Sequence, residues 1–315
     1  MSNSETPSNR LNQLSLQPLG REFVVAGLEL WEWRKSAQAA AIAAAIPPVE
    51  VDWLLQEFAG LDRLALRLES FKERAEVSLK LPFSDLKNRW QQRLQERIPL
   101  QYLIGTAPWR QFCLKVAPGV LIPRPETECL IDLAIAAVEP AEVKGHWVDL
   151  GTGSGAIALG LATAFPQATI QAVDWSSEAL TIAQANAETY HLTDRIQFHQ
   201  GFWLQPLEHL KRRISGIVSN PPYIPTQMLS DLQPEVARHE PHLALDGGPD
   251  GLDSIRHLVT TAPDYLHSGG ILLFEMMAGQ AIAVTQLLQT QDSYRQIQIF
   301  PDLAGIDRFA LAYRK

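Results

Sequence analysis

From residue 146 to the C-terminus, strand-length apolar runs alternate with helix-length segments, and few architectures accommodate that alternation. Strands are expected at residues 146–150, 169–173, 196–198, 216–219 and 271–275. Between them, helices are expected at residues 156–164 and 178–191, and from Ser254 and Gln280 onward. Two closing strands fall near residues 296–300 and 309–312. Strands and helices that take turns in this way specify an α/β fold, a doubly wound and mostly parallel sheet. Ligands of such sheets bind beyond the carboxyl ends of the strands, so functional residues should stand just after each strand.

The preceding chain has a different period. Leu28 and Trp31 open a helix that continues through an alanine run to Pro47-Pro48. Val51, Leu54, Leu55 and Phe58 form a second apolar face ended by Gly60, and Leu61, Leu64, Leu68 and Phe71 a third. Leu86, Trp90 and Leu94 recur four apart, with Ser84 as the expected N-cap. Pro99 closes this bundle. Residues 111–116 and 120–122, separated by Pro118-Gly119, read as a hairpin, and residues 123–128 open a helix through Val138. The expected organisation is a flexible lead at 1–20, a helical docking domain at 21–98, a hairpin linker at 99–125 and the sheet domain at 126–315.

Charge narrows the choice of partner. The 315 residues carry 27 Lys+Arg and 35 Asp+Glu, a balance of −8. Residues 1–120 hold 15 basic and 13 acidic side chains, whereas 121–315 hold 12 and 22. An acidic sheet domain lacks the basic face that direct nucleic-acid binding needs. No apolar run reaches the roughly 20 residues of a membrane span, and no signal-peptide pattern opens the chain. The two cysteines, Cys113 and Cys129, are expected as reduced core residues of a cytoplasmic protein. The eight histidines show no metal-ligand spacing, so no metal is expected.

Asp149-Leu150-Gly151-Thr152-Gly153-Ser154-Gly155 follows a strand and opens a helix. Glycines let the backbone turn tightly beside a ligand, and the helix N-terminus favours a polar group. Asp174 ends the next strand, 23 residues after Gly151, where a carboxylate can accept ribose hydroxyls. A tight structural turn is the plain alternative for the loop alone. Asp149 directly before the loop would repel a pyrophosphate but suits a ligand bearing an ammonium group. S-adenosylmethionine has the ammonium and no phosphate, so the loop resembles the first motif of Rossmann-like methyltransferases. Trp203 could pack on the adenine or serve as an ordinary core aromatic.

Asn220-Pro221-Pro222-Tyr223 follows the fourth strand. It resembles the motif of methyltransferases that act on planar amide or exocyclic amino nitrogens. Such a nitrogen is a poor nucleophile because its lone pair is delocalised. Acceptors on its two N–H bonds, the Asn220 side-chain oxygen and the Pro221 carbonyl, would aim it at a methyl group. Consecutive prolines stiffen the backbone and remove competing N–H donors. Tyr223 offers a flat surface. Catalysis of this kind rests on alignment and oriented dipoles.

With both motifs present, the chain after about residue 98 is similar to the protein-(glutamine-N5) methyltransferases of peptide chain release factors, the PrmC/HemK family. Further matching segments are Gln101-Tyr102-Leu103-Ile104-Gly105, Leu121-Ile122-Pro123-Arg124-Pro125-Glu126-Thr127-Glu128, Glu240-Pro241, Gly247-Gly248, Asp250-Gly251-Leu252 and Asp302-Leu303-Ala304-Gly305. The resemblance implies a methyltransferase domain over residues 126–315. It also implies methyl transfer from S-adenosyl-L-methionine, leaving S-adenosyl-L-homocysteine, to the glutamine of the Gly-Gly-Gln loop of class I release factors. It assigns cofactor binding to Asp149, Gly151, Thr152, Gly153, Ser154, Gly155, Asp174, Trp203 and Asn220. Asn220, Pro221, Pro222 and Tyr223 would hold the glutamine, with Arg124 and Glu126 closing the pocket. A monomer is expected.

Two departures stand out. Phe202 occupies a position that is acidic in many relatives, and Glu275-Met276-Met277-Ala278-Gly279 stands where Glu-x-Gly is usual. A ribosomal-protein glutamine methyltransferase would share this chemistry. So would an adenine-N6 methyltransferase, which would add a basic groove and a base-flipping platform. A non-enzymatic binding module would have no use for both motifs.

Overall fold

The computed structural model describes residues 23–138 and 143–315; the lead expected at residues 1–20 lies outside the described residues. The chain divides after Glu96 into two compact units.

The first unit is mainly helical. Strand β1 (Phe23–Val25) leads into helices α1 (Gly27–Ala43), α2 (Val49–Ala59) and α3 (Arg63–Leu68). Strand β2 (Val77–Leu79) then pairs antiparallel with β1, and helix α4 (Phe83–Gln95) closes the unit. Among the described residues, the buried charged side chains of this unit are paired, as burial demands. Buried Arg93 donates to both Glu50 oxygens, at 2.6 and 2.9 Å, and Arg34 grips Asp52 at 2.7 and 2.9 Å. Two expectations fail here. The third apolar face fails: α3 ends at Leu68 with Glu69 left-handed (φ 54°) after it, and the helix buries Ala65 and Leu66, so Leu64 and Leu68 are exposed while Leu61 and Phe71, outside it, are buried. Ser84 is not the N-cap of α4: Pro82 holds that position, and the Ser84 hydroxyl donates to Asp85 instead.

The second unit opens with helix α5 (Leu100–Ile104) and a hairpin of β3 (Thr106–Trp109) and β4 (Phe112–Lys115). The hairpin therefore turns at Arg110-Gln111, not at Pro118-Gly119. Arg110 takes φ 48° there, held by its N–H on Glu128 at 2.8 Å and its guanidinium on Asp132 at 2.9 and 3.1 Å. Cys113 sits on this hairpin with its side chain exposed, so it is no core residue, and Cys129 is half-buried; both are free thiols.

Helix α6 (Cys129–Ala137) precedes the alternating region: β5 (Gly145–Leu150), α7 (Ala156–Ala164), β6 (Ala168–Asp174), α8 (Ser177–Thr189), β7 (Ile196–Gln200) and β8 (Ile214–Ser219). A short helix α9 (Pro234–His239), then α10 (Asp253–Tyr265), β9 (Leu266–Glu275), α11 (Ala281–Thr290), β10 (Tyr294–Pro301) and β11 (Asp307–Arg314) complete it. Among the described residues, seven strands form one sheet in the order β10-β11-β9-β8-β5-β6-β7. The five strands from β9 to β7 are parallel, and β11 and β10 are added antiparallel at one edge.

Side chains alternate across the sheet. Trp147 packs with Phe165 in one core layer, ring centroids 4.4 Å apart, while Val148 and Leu150 enter the other. Strand order reverses between β5 and β8, which places the glycine turn after β5 beside the Asn-Pro-Pro-Tyr turn after β8. Such a switch point leaves a crevice at the carboxyl ends of the strands.

Candidate active site

A cavity of about 830 Å³ opens at this switch point. The glycine turn forms its floor. Gly151, Gly153 and Gly155 all have positive φ (72°, 54° and 84°), a run that side-chain-bearing residues rarely adopt. Gly151 and Thr152 both donate their N–H to the Val173 carbonyl, at 2.9 and 3.0 Å, which anchors the turn to the end of β6.

Asp174 reaches the same turn. Its Oδ2 accepts the Gly153 N–H at 2.8 Å and its Oδ1 the Ser176 N–H at 2.9 Å. Ser176 in turn caps α8 by accepting the Ala179 N–H at 3.1 Å. Three N–H donors leave the carboxylate room to accept further, and the side chain lines the cavity, so a ribose hydroxyl can be accepted there. Burial raises the Asp174 carboxyl above its ordinary range, and the N–H donors from Gly153, Ser176 and Trp175 pull it back.

An aromatic rim stands beside Asp174. Trp175, Phe202, Trp203 and His257 all line the cavity. Phe202 meets Trp175 at 6.0 Å and His257 at 5.4 Å between centroids, and Trp203 lies 5.6 Å from His257. Trp203 is held with φ 51°, a strained backbone for a bulky residue, of the kind that clusters at ligand sites. Phe202 supplies a ring face to the cavity. These flat apolar surfaces suit a purine, so the cavity fits an adenosyl cofactor: rings for the base, Asp174 for the ribose, the glycine turn for the polar tail.

Asp149 does not line the cavity. It is fully buried behind the turn, where its Oδ2 accepts the Thr152 hydroxyl at 2.6 Å and the Ala158 N–H at 2.9 Å. Its Oδ1 has no hydrogen-bond partner. Burial pushes its carboxyl up to about 7, against the pull of Thr152 and Ala158. Its contribution in this structure is to shape the turn.

On the opposite wall, Asn220 and Pro222 line the cavity, whereas Pro221 is buried and Tyr223 is turned inward. The Asn220 Nδ2 donates to the Thr127 hydroxyl at 3.1 Å. Thr127 donates to Glu275 at 2.7 Å, and the Tyr223 hydroxyl donates to the other Glu275 oxygen at 2.8 Å. Gln280 donates to the Tyr223 and Gly251 carbonyls, each at 3.1 Å, and accepts the Met277 N–H at 2.9 Å. The unusual Met276-Met277 segment therefore still braces the Tyr223 turn. Gly251 packs so closely against it that a Cβ there would lie 2.3 Å from the Tyr223 carbonyl oxygen.

The segment over the cavity is pinned from both sides. Arg124 lines the cavity and donates to Glu240 at 2.7 Å, its own carbonyl accepting the Trp109 indole N–H at 3.1 Å. Glu126 is exposed and does not line the cavity; its neighbour Thr127 does. Thr127, Glu240 and Glu275 stand in segments that the resemblance singles out, but their links to the site have no local signature, since Thr127 lies 93 residues from Asn220 and 148 from Glu275. The sequence marks Gln280 only as the start of a helix.

Fold and site together define a class, the Rossmann-like methyltransferases that use S-adenosylmethionine, and a methyltransferase small domain model matches residues 132–238. The chain is 52% identical to the release factor glutamine methyltransferase of Synechocystis sp. over 91% of its own length and 97% of that protein. A protein of the same description from Thermosynechococcus vestitus is also 52% identical, over 84% of this chain and 90% of its own. The chain belongs to the release factor glutamine methyltransferase family. Among solved structures, a release-factor-specific protein-(glutamine-N5) methyltransferase from Alicyclobacillus acidocaldarius is 28% identical, covering 64% of this chain and 99% of its own, with a TM-score of 0.38.

Proposed function

We propose that this chain methylates the side-chain amide nitrogen of the glutamine in the Gly-Gly-Gln loop of class I peptide chain release factors. The observation that carries the reading is the meeting of Asn220 and Pro222 with the glycine turn and Asp174 on one cavity.

When bound, S-adenosylmethionine supplies a methyl carbon made electrophilic by the adjacent sulfonium. Asp174 would hold the ribose, Trp203 and its aromatic neighbours the base, and Gly151, Thr152, Gly153 and Ser154 would line the remainder. The Asn220 Oδ1 and the Pro221 carbonyl accept the two N–H bonds of the substrate amide. Two acceptors in fixed positions orient the nitrogen lone pair and stabilise the positive charge that develops on it. Tyr223 braces this turn through Glu275, and Arg124 keeps the covering segment in place through Glu240. None of these steps calls for a metal.

The enzyme is read as a cytosolic monomer that meets a protein partner, its near-neutral helical unit serving for docking. The 12 basic against 22 acidic side chains of residues 121–315 argue against gripping a nucleic-acid phosphate backbone.

Purified protein with labelled S-adenosylmethionine, offered a release factor, ribosomal proteins or oligonucleotides, tests this reading. Label should enter the release factor and vanish when its Gly-Gly-Gln glutamine is replaced. Label confined to oligonucleotides or ribosomal proteins would overturn it. Removal of residues 1–96 tests docking: KM for the whole factor should rise, and an unchanged KM would exclude that role.

A further inference from the structure

Glu275, at the carboxyl end of β9, is 2% exposed, lines no part of the cavity, and yet connects two residues of the Asn-Pro-Pro-Tyr turn. Its two oxygens are used separately, Oε2 by the Thr127 hydroxyl at 2.7 Å and Oε1 by the Tyr223 hydroxyl at 2.8 Å. Thr127 is itself buried.

Donor and acceptor counting then fixes the orientation of Asn220. A carboxylate only accepts, so Thr127 spends its single proton on Glu275. Toward Asn220 the same hydroxyl can only accept. The Asn220 side chain must therefore present its NH2 to Thr127, as the 3.1 Å contact from Nδ2 has it. Its Oδ1 is the end left for a ligand of the cavity that Asn220 lines. A terminal amide rotated by half a turn fills the same space, so shape alone would not choose between the two orientations. The wrong one would oppose an NH2 to the substrate's own N–H.

We propose that Glu275 is a positioning residue which, through Thr127, locks the Asn220 amide with its oxygen toward the substrate and, through Tyr223, holds the rest of the turn. The proposal rests on the glutamine-methylating reading above. Glutamine at position 275 would offer one acceptor and one NH2, and could not accept from both hydroxyls. Valine at position 127 matches threonine in shape and removes the hydroxyl that transmits the choice.

The wild-type enzyme is assayed first on a release factor; absence of transfer would defeat the functional reading itself. Given transfer, Thr127→Val should lower kcat about 10- to 100-fold, since small misplacement of a reacting group has that effect. KM for the release factor and the Kd for S-adenosylhomocysteine, measured by calorimetry, should stay within about twofold, because valine keeps the shape Thr127 presents to the cavity and the hydroxyl it removes is engaged by Glu275 and Asn220. Thr127→Ser should recover most of the rate, and Glu275→Gln should fall with Thr127→Val. A second readout needs no turnover: the Asn220 side-chain amide NMR signals, assigned by their loss in Asn220→Asp, should move in Thr127→Val and keep their place in Thr127→Ser. Wild-type kcat in Thr127→Val, unmoved Asn220 signals, or a loss that serine does not repair would each overturn the proposal. If Thr127→Val does not fold, Thr127→Ala is read in its place by the same measurements.

Discussion

Asp174 accepts the Gly153 N–H at 2.8 Å, so the carboxylate that ends β6 also fixes the middle of the glycine turn after β5. One side chain thereby couples the shape of the cavity floor to the group available for a ribose. Asp174→Ala should lose both functions together. Hydrogen bonds to charged groups are worth about 1.5–3 kcal/mol, so the Kd for S-adenosylhomocysteine should rise by one to two orders of magnitude. Isothermal calorimetry reads this directly, and kcat at saturating cofactor should change far less. An unaltered Kd would remove Asp174 from the site.

Asn220→Ala should act on the other half of the chemistry. Removing one preorganised dipole from a reaction of this type costs about 10²–10³ in kcat. Cofactor binding should persist, because the aromatic rim, Asp174 and the glycine turn stay in place. Parallel loss of S-adenosylhomocysteine affinity would instead assign Asn220 to the cofactor.

Asp149 predicts a pH dependence of stability. Its carboxyl titrates near 7 in the folded chain, against an ordinary value of 3.8. Between those values the folded state holds a proton that the unfolded state has lost, so stability falls as pH rises from about 4 to 7. The full effect is on the order of 4 kcal/mol. Asp149→Asn keeps an acceptor for Thr152 and Ala158 and should flatten this dependence. Thermal denaturation of both proteins across the window checks it; parallel curves would refute the assignment.

Glu275 predicts an acid limb in kcat. Burial raises its carboxyl above the ordinary glutamate range, while Thr127, Tyr223 and Arg308 lower it and Glu126 raises it further; the Cys129 thiol also feels its charge. Protonation would turn one oxygen into a donor and release Thr127 or Tyr223 from its fixed role. As pH falls through that raised value, kcat should therefore drop while S-adenosylhomocysteine affinity holds. Glu275→Gln should show a low rate without this limb, and a limb that survives the substitution would trace to another group.

Much of the sheet domain is legible in the chain because its signals are local. Helix α7 has the expected bounds, and β5, β6 and β8 differ from expectation only at their ends, since a buried parallel strand is a short apolar run that needs no partner to be recognised. The glycine turn, Asp174 and Asn220 are legible for the same reason: each follows a strand that local sequence already marks. The hairpin was misplaced because Arg110, a residue with no turn preference, is held left-handed by Glu128 and Asp132 of a later segment. Leu64 and Leu68 misled because the short α3 buries Ala65 and Leu66 instead, a choice that packing makes and apolar spacing does not.

What the sequence by itself determined is the fold class and the two turns, Gly151–Gly155 and Asn220–Tyr223, since each is written within a few consecutive residues. What only tertiary structure decided is how those residues are aimed. Asp149 lies behind the turn, bonded to Thr152 and Ala158, and Asn220 meets Thr127, which in turn meets Glu275. The physical reason is that a hydrogen bond acts over about 3 Å of space whatever the distance along the chain, and a packed interior can satisfy its donors and acceptors in only a few ways.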